Sequence, residues 1–158
     1  MAIVLYWHKI NKNNGKNHSN IIITNMKKIE HIGIAVKDFS KANGLFYHLL
    51  GAEPYKTEVV ESEKVSTSFF KVGDTKIELL EALDDDSPVA KFLEKHGEGI
   101  HHLAFEVADI LSEMSRLKKE GFKLVSEVPK KGADNKLVCF LHPKSTNGVL
   151  IELCQEIR

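Results

Sequence analysis

Cysteine is nearly absent from this chain. Cys139 and Cys154 are the only two in 158 residues, and they have no CxxC spacing. Two are too few for a disulfide framework, so they read as buried thiols in a protein of a reducing cytoplasm. Long apolar runs are missing too: none approaches the roughly 18 residues that a membrane-crossing helix needs. An excess of one charge is also missing, since Lys plus Arg and Asp plus Glu each total 22. That balance argues against a nucleic-acid or anionic-membrane surface and leaves small molecules or other proteins as partners. With 42% apolar residues, the chain can bury one good core.

Residues 1–25 lack any acid and any apolar periodicity, and "NKNNGKNHSN" (11–20) is an Asn/Lys tract. They match neither a secretory signal nor a transit peptide. The expectation is a disordered or non-native extension on residues 1–25, with a single functional domain over 26–158.

What is present is a strand written twice. "IEHIGIAV" (29–36) and "IHHLAFEV" (100–107) align with His31 over His102 and Val36 over Val107. After the first copy, Asp38 and Ser40 are candidate caps for a helix with Ala42, Leu45, Phe46 and Leu49 on its apolar face, closed by Gly51. Strand-like segments follow at 54–61, 65–73 and 75–83. A linker helix over about 87–97 begins at Ser87-Pro88, and the order then restarts. The second helix carries Ile110, Leu111, Met114 and Leu117 and closes at Gly121, followed by strand-like segments at 122–128, 136–142 and 148–154. The fold class expected is α+β, two tandem βαβββ modules (about 27–83 and 99–156) forming a curved mixed sheet around a cleft.

The last strands of the two modules also correspond. "KIELLE" (76–81) lies over "LIELCQ" (150–155), which sets Glu78 over Glu152. Each module thus offers one histidine on its first strand and one glutamate on its last. Strand alternation places His31 on a face with the small residues Gly33 and Ala35, and His102 with Ala104. A lone carboxylate between apolar neighbours is costly to bury unless it is paired or bound to a metal. Each of the four residues alone has an ordinary structural explanation. Together, at matched positions, His31, Glu78, His102 and Glu152 form a mixed N/O set suited to Co²⁺, Zn²⁺, Ni²⁺, Mn²⁺ or Fe²⁺. His101 falls on the opposite face, near the helix.

With these residues placed, the chain resembles the vicinal oxygen chelate superfamily and, within it, the methylmalonyl-CoA epimerases. The motifs that carry the resemblance are "IEHIGIAVKD" (29–38), "GDTKIELLEAL" (73–83), "SPVAKFLEKHGEGIHHLAFEV" (87–107) and "FLHPKSTNGVLIELCQ" (140–155). It implies a divalent metal, cobalt first, held by His31, Glu78, His102 and Glu152. It also implies interconversion of (R)- and (S)-methylmalonyl-CoA in a cytoplasmic homodimer. Glu152 is the first choice for a proton carrier. A second glutamate known from some relatives falls at Thr67 here, a poor base, which leaves Glu78, a neighbouring acid or a metal-bound water. Lys144 and Ser145 in "HPKSTNG" are candidates for the CoA portion. The competing readings are a glyoxalase-like lyase, a non-haem iron dioxygenase and a metal-free binding protein of the same fold.

Overall fold

Two helix-bearing halves of one sheet account for residues 25–158, which the computed structural model describes. The expectation for the N-terminal tract falls, apart from Asn25, outside them. β1 (Met26–Ala35) leads into α1 (Phe39–Leu50), then β2 (Lys56–Val60), β3 (Val65–Val72) and β4 (Thr75–Ala82). After α2 (Pro88–His96) come β5 (Gly99–Val107), α3 (Ile110–Lys119), β6 (Lys130–Lys131), β7 (Lys136–Leu141), a 3-10 turn (Pro143–Ser145) and β8 (Ile151–Glu156). No described helix is long and apolar enough to cross a membrane.

The strand order is β2-β3-β4-β1-β5-β8-β7-β6, a curled sheet with matching halves. In the first half β1 runs parallel to β4 and sets Gly33 opposite Glu78. In the second, β5 runs parallel to β8 and sets Ala104 opposite Glu152. The halves join where β1 and β5 pair antiparallel. This is the tandem βαβββ arrangement, and its seam puts both histidine-bearing strands side by side.

Helix starts follow local chemistry. The side chains of Asp38, Ser87 and Asp109 accept from the amides of Lys41, Ala90 and Ser112, satisfying donors that a helix N-terminus leaves unpaired. Ser40 lies inside α1 and does not cap it. At the end of α3, Gly121 (φ 89°) donates to Lys118 O and Phe122 to Leu117 O, the left-handed closure that glycine permits.

Two helix faces differ from expectation. Phe39, Ala42, Phe46 and Leu50 pack on Val36, Phe70 and Leu79, whereas Leu45 and Leu49 are 56% and 69% exposed. The helix begins at Phe39, whose amide donates to Glu81, and a stripe of 3.6 residue period started there passes through 42, 46 and 50. In α3, Ile110, Met114 and Leu117 pack on Val107, Leu141 and Leu153, and Leu111 turns to solvent. Each such buried side chain contributes about 1.5–3 kcal/mol.

The expected strand at 122–128 is reduced to one bridge, Leu124 to Leu141. Val125 N donates to Phe140 O and His142 N to Lys123 O, after which the Ser126 hydroxyl folds onto Val128 O and Pro129 offers no donor. Only Lys130–Lys131 resumes pairing with β7. The last strand also starts later than expected, at Ile151, because the turn after Pro143 occupies the preceding residues.

Candidate functional site

The four matched residues converge at the seam. His31 Nε2 lies 2.9 Å from His102 Nε2, 3.2 Å from Glu78 Oε2 and 3.8 Å from Glu152 Oε1. His102 Nε2 lies 3.4 Å from Glu78 Oε2 and 3.5 Å from Glu152 Oε2. All four are at most 5% exposed. β1 and β5 supply the imidazoles, and the parallel neighbours β4 and β8 supply the carboxylates from positions flanking the seam.

One-to-one pairing of β1 with β5 slips at three places, between Met26 and Lys28, Ile29 and His31, and Gly33 and Ile34, and the last two matter here. Ile29 pairs with Phe105 but His31 pairs with Ala104, so Glu30 is an extra residue in β1. Gly33 pairs with His102 but Ile34 with Ile100, so His101 is an extra residue in β5. Such bulges re-aim a side chain. Glu30 therefore joins His31 on the cleft side, its Oε2 2.6 Å from His31 Nδ1. His101 likewise lines the cleft, its Nδ1 3.0 Å from His102 Nδ1, which corrects its assignment to the opposite face. It does meet a helix, edge-on to Phe92 of α2 at 5.0 Å between ring centroids.

Charge follows burial and pairing. Burial alone would raise the Glu30 carboxyl, but hydrogen bonds from His31 and Lys76 outweigh it and hold it down at about 2. Burial would lower His31, yet Glu78, Glu152 and Glu30 together hold it well above its ordinary 6.5. Glu78 sits well below the usual carboxylate range: its burial is overcome by the two imidazoles. Glu152 is pushed up, chiefly by burial. Burial and the two imidazoles thus shift these two carboxylates in opposite directions.

A cleft opens from these groups. Its apolar walls include Val60, Val65, Phe69, Leu80, Val89, Val138 and Phe140. Glu63, from the turn between β2 and β3, also lines it, with buried Oε1 facing the ammonium of Lys130 in β6. Sequence reading missed Glu63, because Glu58, Glu61 and Glu63 form one acidic run with nothing to single it out. Thr67, at the position aligned with a glutamate of some relatives, donates its hydroxyl to Glu78 Oε1 at 2.9 Å. Lys144 and Ser145 do not line this cleft. The Ser145 hydroxyl accepts from Lys123 N and donates to His142 O, tying its own turn together.

The donor set fits a divalent cation. Imidazole nitrogens and carboxylate oxygens bind such ions at about 2.0–2.2 Å, which spaces adjacent ligand atoms about 2.8–3.6 Å apart. Four of the five separations above, from 2.9 to 3.5 Å, fall in that range. Two carboxylates beside two imidazoles, all removed from water, is an arrangement that a cation stabilises.

Residues 30–140 match the Glyoxalase/Bleomycin resistance protein/Dioxygenase superfamily. The chain is similar to ethylmalonyl-CoA/methylmalonyl-CoA epimerase of Cereibacter sphaeroides, 44% identical over 81% of this chain and 97% of that protein. It is similar to the mitochondrial methylmalonyl-CoA epimerase of Homo sapiens, 41% identical over 84% of this chain and 76% of that protein. A solved variant of Streptomyces coelicolor methylmalonyl-CoA epimerase, in complex with 2-nitronate-propionyl-CoA, superposes with a TM-score of 0.81. It is 34% identical and covers 83% of this chain and 95% of its own.

Proposed function

The chain belongs to the glyoxalase/bleomycin resistance protein/dioxygenase superfamily and within it to the methylmalonyl-CoA epimerases, and we infer that it interconverts (R)- and (S)-methylmalonyl-CoA. The observation that carries this reading is that Glu78 and Glu152 both approach the His31–His102 pair, at 3.2–3.8 Å, with the imidazoles 2.9 Å apart, in an apolar-walled cleft.

Epimerisation removes a proton alpha to a thioester carbonyl and returns one to the other face. It needs stabilisation of the developing enolate charge and a proton carrier on each side. His31, His102, Glu78 and Glu152 would hold a divalent ion, cobalt first, with zinc, nickel or manganese as substitutes. Such an ion supplies Lewis-acid polarisation of the substrate's carbonyl and carboxylate oxygens. Glu152, on the last strand of the second module and facing both imidazoles, is the first choice to take and return a proton. Glu78, kept as an anion by both imidazoles and bonded by Thr67, is the poorer carrier and the better ligand. The second carrier is Glu63: it is a cleft-lining carboxylate on the first module, whereas Glu152 comes from the second. Carriers from two modules suit a reaction that works on two faces of one carbon. The apolar walls exclude water and accommodate the alkyl substituent.

We assign the enzyme to the cytoplasm, in keeping with two buried free thiols, and to a homodimer, which light scattering tests. The activity is tested by incubating a single stereoisomer of methylmalonyl-CoA with the protein and following the circular dichroism of the acyl group. Decay to the equilibrium mixture supports the assignment. A stable signal with every divalent metal would end it.

A further inference from the structure

We propose that Glu30 is a positioning residue, fixing the ring of His31 so that Nδ1 is the protonated nitrogen and Nε2 is free to face the centre of the site. The inference rests on the metal-site reading above and adds a residue to it.

Glu30 reaches this place only because β1 carries an extra residue there. In regular alternation its side chain would leave on the face opposite His31. It is 2% exposed and both its oxygens are engaged. Oε2 lies 2.6 Å from His31 Nδ1, while Oε1 meets the ammonium of Lys76 and lies 3.5 Å from that of Lys136. Held from behind by two lysines, the carboxylate has one free direction, toward the imidazole. With three partners on its two oxygens, it is placed to orient His31.

The second module repeats the device with different chemistry. The extra residue in β5 is His101, at the matching offset, and it presents a second imidazole to His102 Nδ1 at 3.0 Å. Among the described residues it is backed by Phe92 and by no lysine. The two histidines of the site are therefore held unequally, His31 by an anchored anion and His102 by a ring. Lys76 also bonds Asp134 at 2.7 Å, on the hairpin that lines the cleft, so the same anchor ties His31 to the cleft wall.

The test uses ¹⁵N-labelled full-length protein and Zn²⁺. In the Zn²⁺-loaded wild type, imidazole NMR is expected to show His31 coordinated through Nε2 with its proton on Nδ1. Chelator competition is then expected to show Zn²⁺ affinity falling about tenfold in Glu30→Gln and about 100-fold in Glu30→Leu, with a smaller loss in His101→Gln. A merely structural role would lower the thermal midpoint and leave the affinity of the folded variants unchanged, and that result would overturn the proposal. Coordination of His31 through Nδ1 would overturn it without recourse to any variant. Absence of Zn²⁺ binding by the wild type would instead remove the metal-site reading, and this inference with it.

Discussion

The imidazole of His102 fills the space that a side chain on Gly33 would need: a Cβ built on Gly33 would lie 2.3 Å from His102 Cε1 and 2.6 Å from both ring nitrogens. The two residues pair directly across the β1–β5 seam. Gly33 is thus required by the site itself. Gly33→Ala is expected to keep the fold, at an overpacking cost of about 1–3 kcal/mol, and to swing His102 away from His31. Metal affinity and turnover are expected to fall together, turnover by about 100-fold. Equal metal binding in Gly33→Ala and wild type, measured by calorimetry, would show that the ring has room elsewhere.

Glu63 and Glu152 are expected to serve opposite faces of the substrate. Removing one carrier stops epimerisation, by about 10²–10⁴-fold, while the other still exchanges the alpha proton of one stereoisomer with solvent. Glu63→Gln is therefore expected to lose interconversion and keep deuterium incorporation into a single stereoisomer. Loss of incorporation into both would assign Glu63 to substrate binding instead of proton transfer.

Removing the metal is expected to cost stability as well as activity, because the ion binds only the assembled four-residue site. At 100 times its dissociation constant a ligand stabilises the folded state by about 2.7 kcal/mol. Differential scanning calorimetry of chelated and Co²⁺-restored protein should show a rise in midpoint that grows with cobalt concentration. A midpoint indifferent to cobalt would contradict binding at this site.

Much of this arrangement could be read in advance, and the exceptions share a cause. Duplicated strands, closing glycines and the His/Glu correspondence follow from periods of 2 and 3.6, so the βαβββ modules and four converging residues were legible in the sequence. Glu30 and His101 were not, because each depends on a one-residue slip in strand pairing that no local pattern marks. Glu63 stayed hidden for a different reason: what distinguishes it from Glu58 and Glu61 is a cleft assembled from both modules. Leu45 and Leu49 misled because the packed stripe runs from Phe39 through 42, 46 and 50, and Asp38, not Ser40, sets where the helix starts.

Stability of the chelated protein should depend on pH in two directions. The Glu30 carboxyl is lowered from 4.5 to about 2 on folding, so its contribution is complete above pH 4.5 and is lost as pH falls toward 2. His31 is raised above 6.5 on folding, so its contribution is complete below 6.5 and is lost as pH rises through the folded value. Glu152, raised by burial, begins to lose its contribution above 4.5 and adds to the decline as pH rises. Urea midpoints of chelated protein are expected to peak between about pH 4.5 and 6.5. A steady rise through pH 8 would mean that His31 is not charged in the metal-free site.

The central claim is proton abstraction at the alpha carbon by Glu152, itself one of the four residues, with His31, His102 and Glu78, that would hold the metal. Its most direct measurement is deuterium uptake at that carbon of methylmalonyl-CoA in D₂O, by mass spectrometry, for wild-type and Glu152→Gln protein with and without Co²⁺. Fast uptake by the Co²⁺-restored wild type is predicted for both stereoisomers. Chelation should abolish it, and Glu152→Gln should lose it for one stereoisomer by about 10²–10⁴-fold. Uptake that survives chelation, or that is unchanged in Glu152→Gln, would contradict the account.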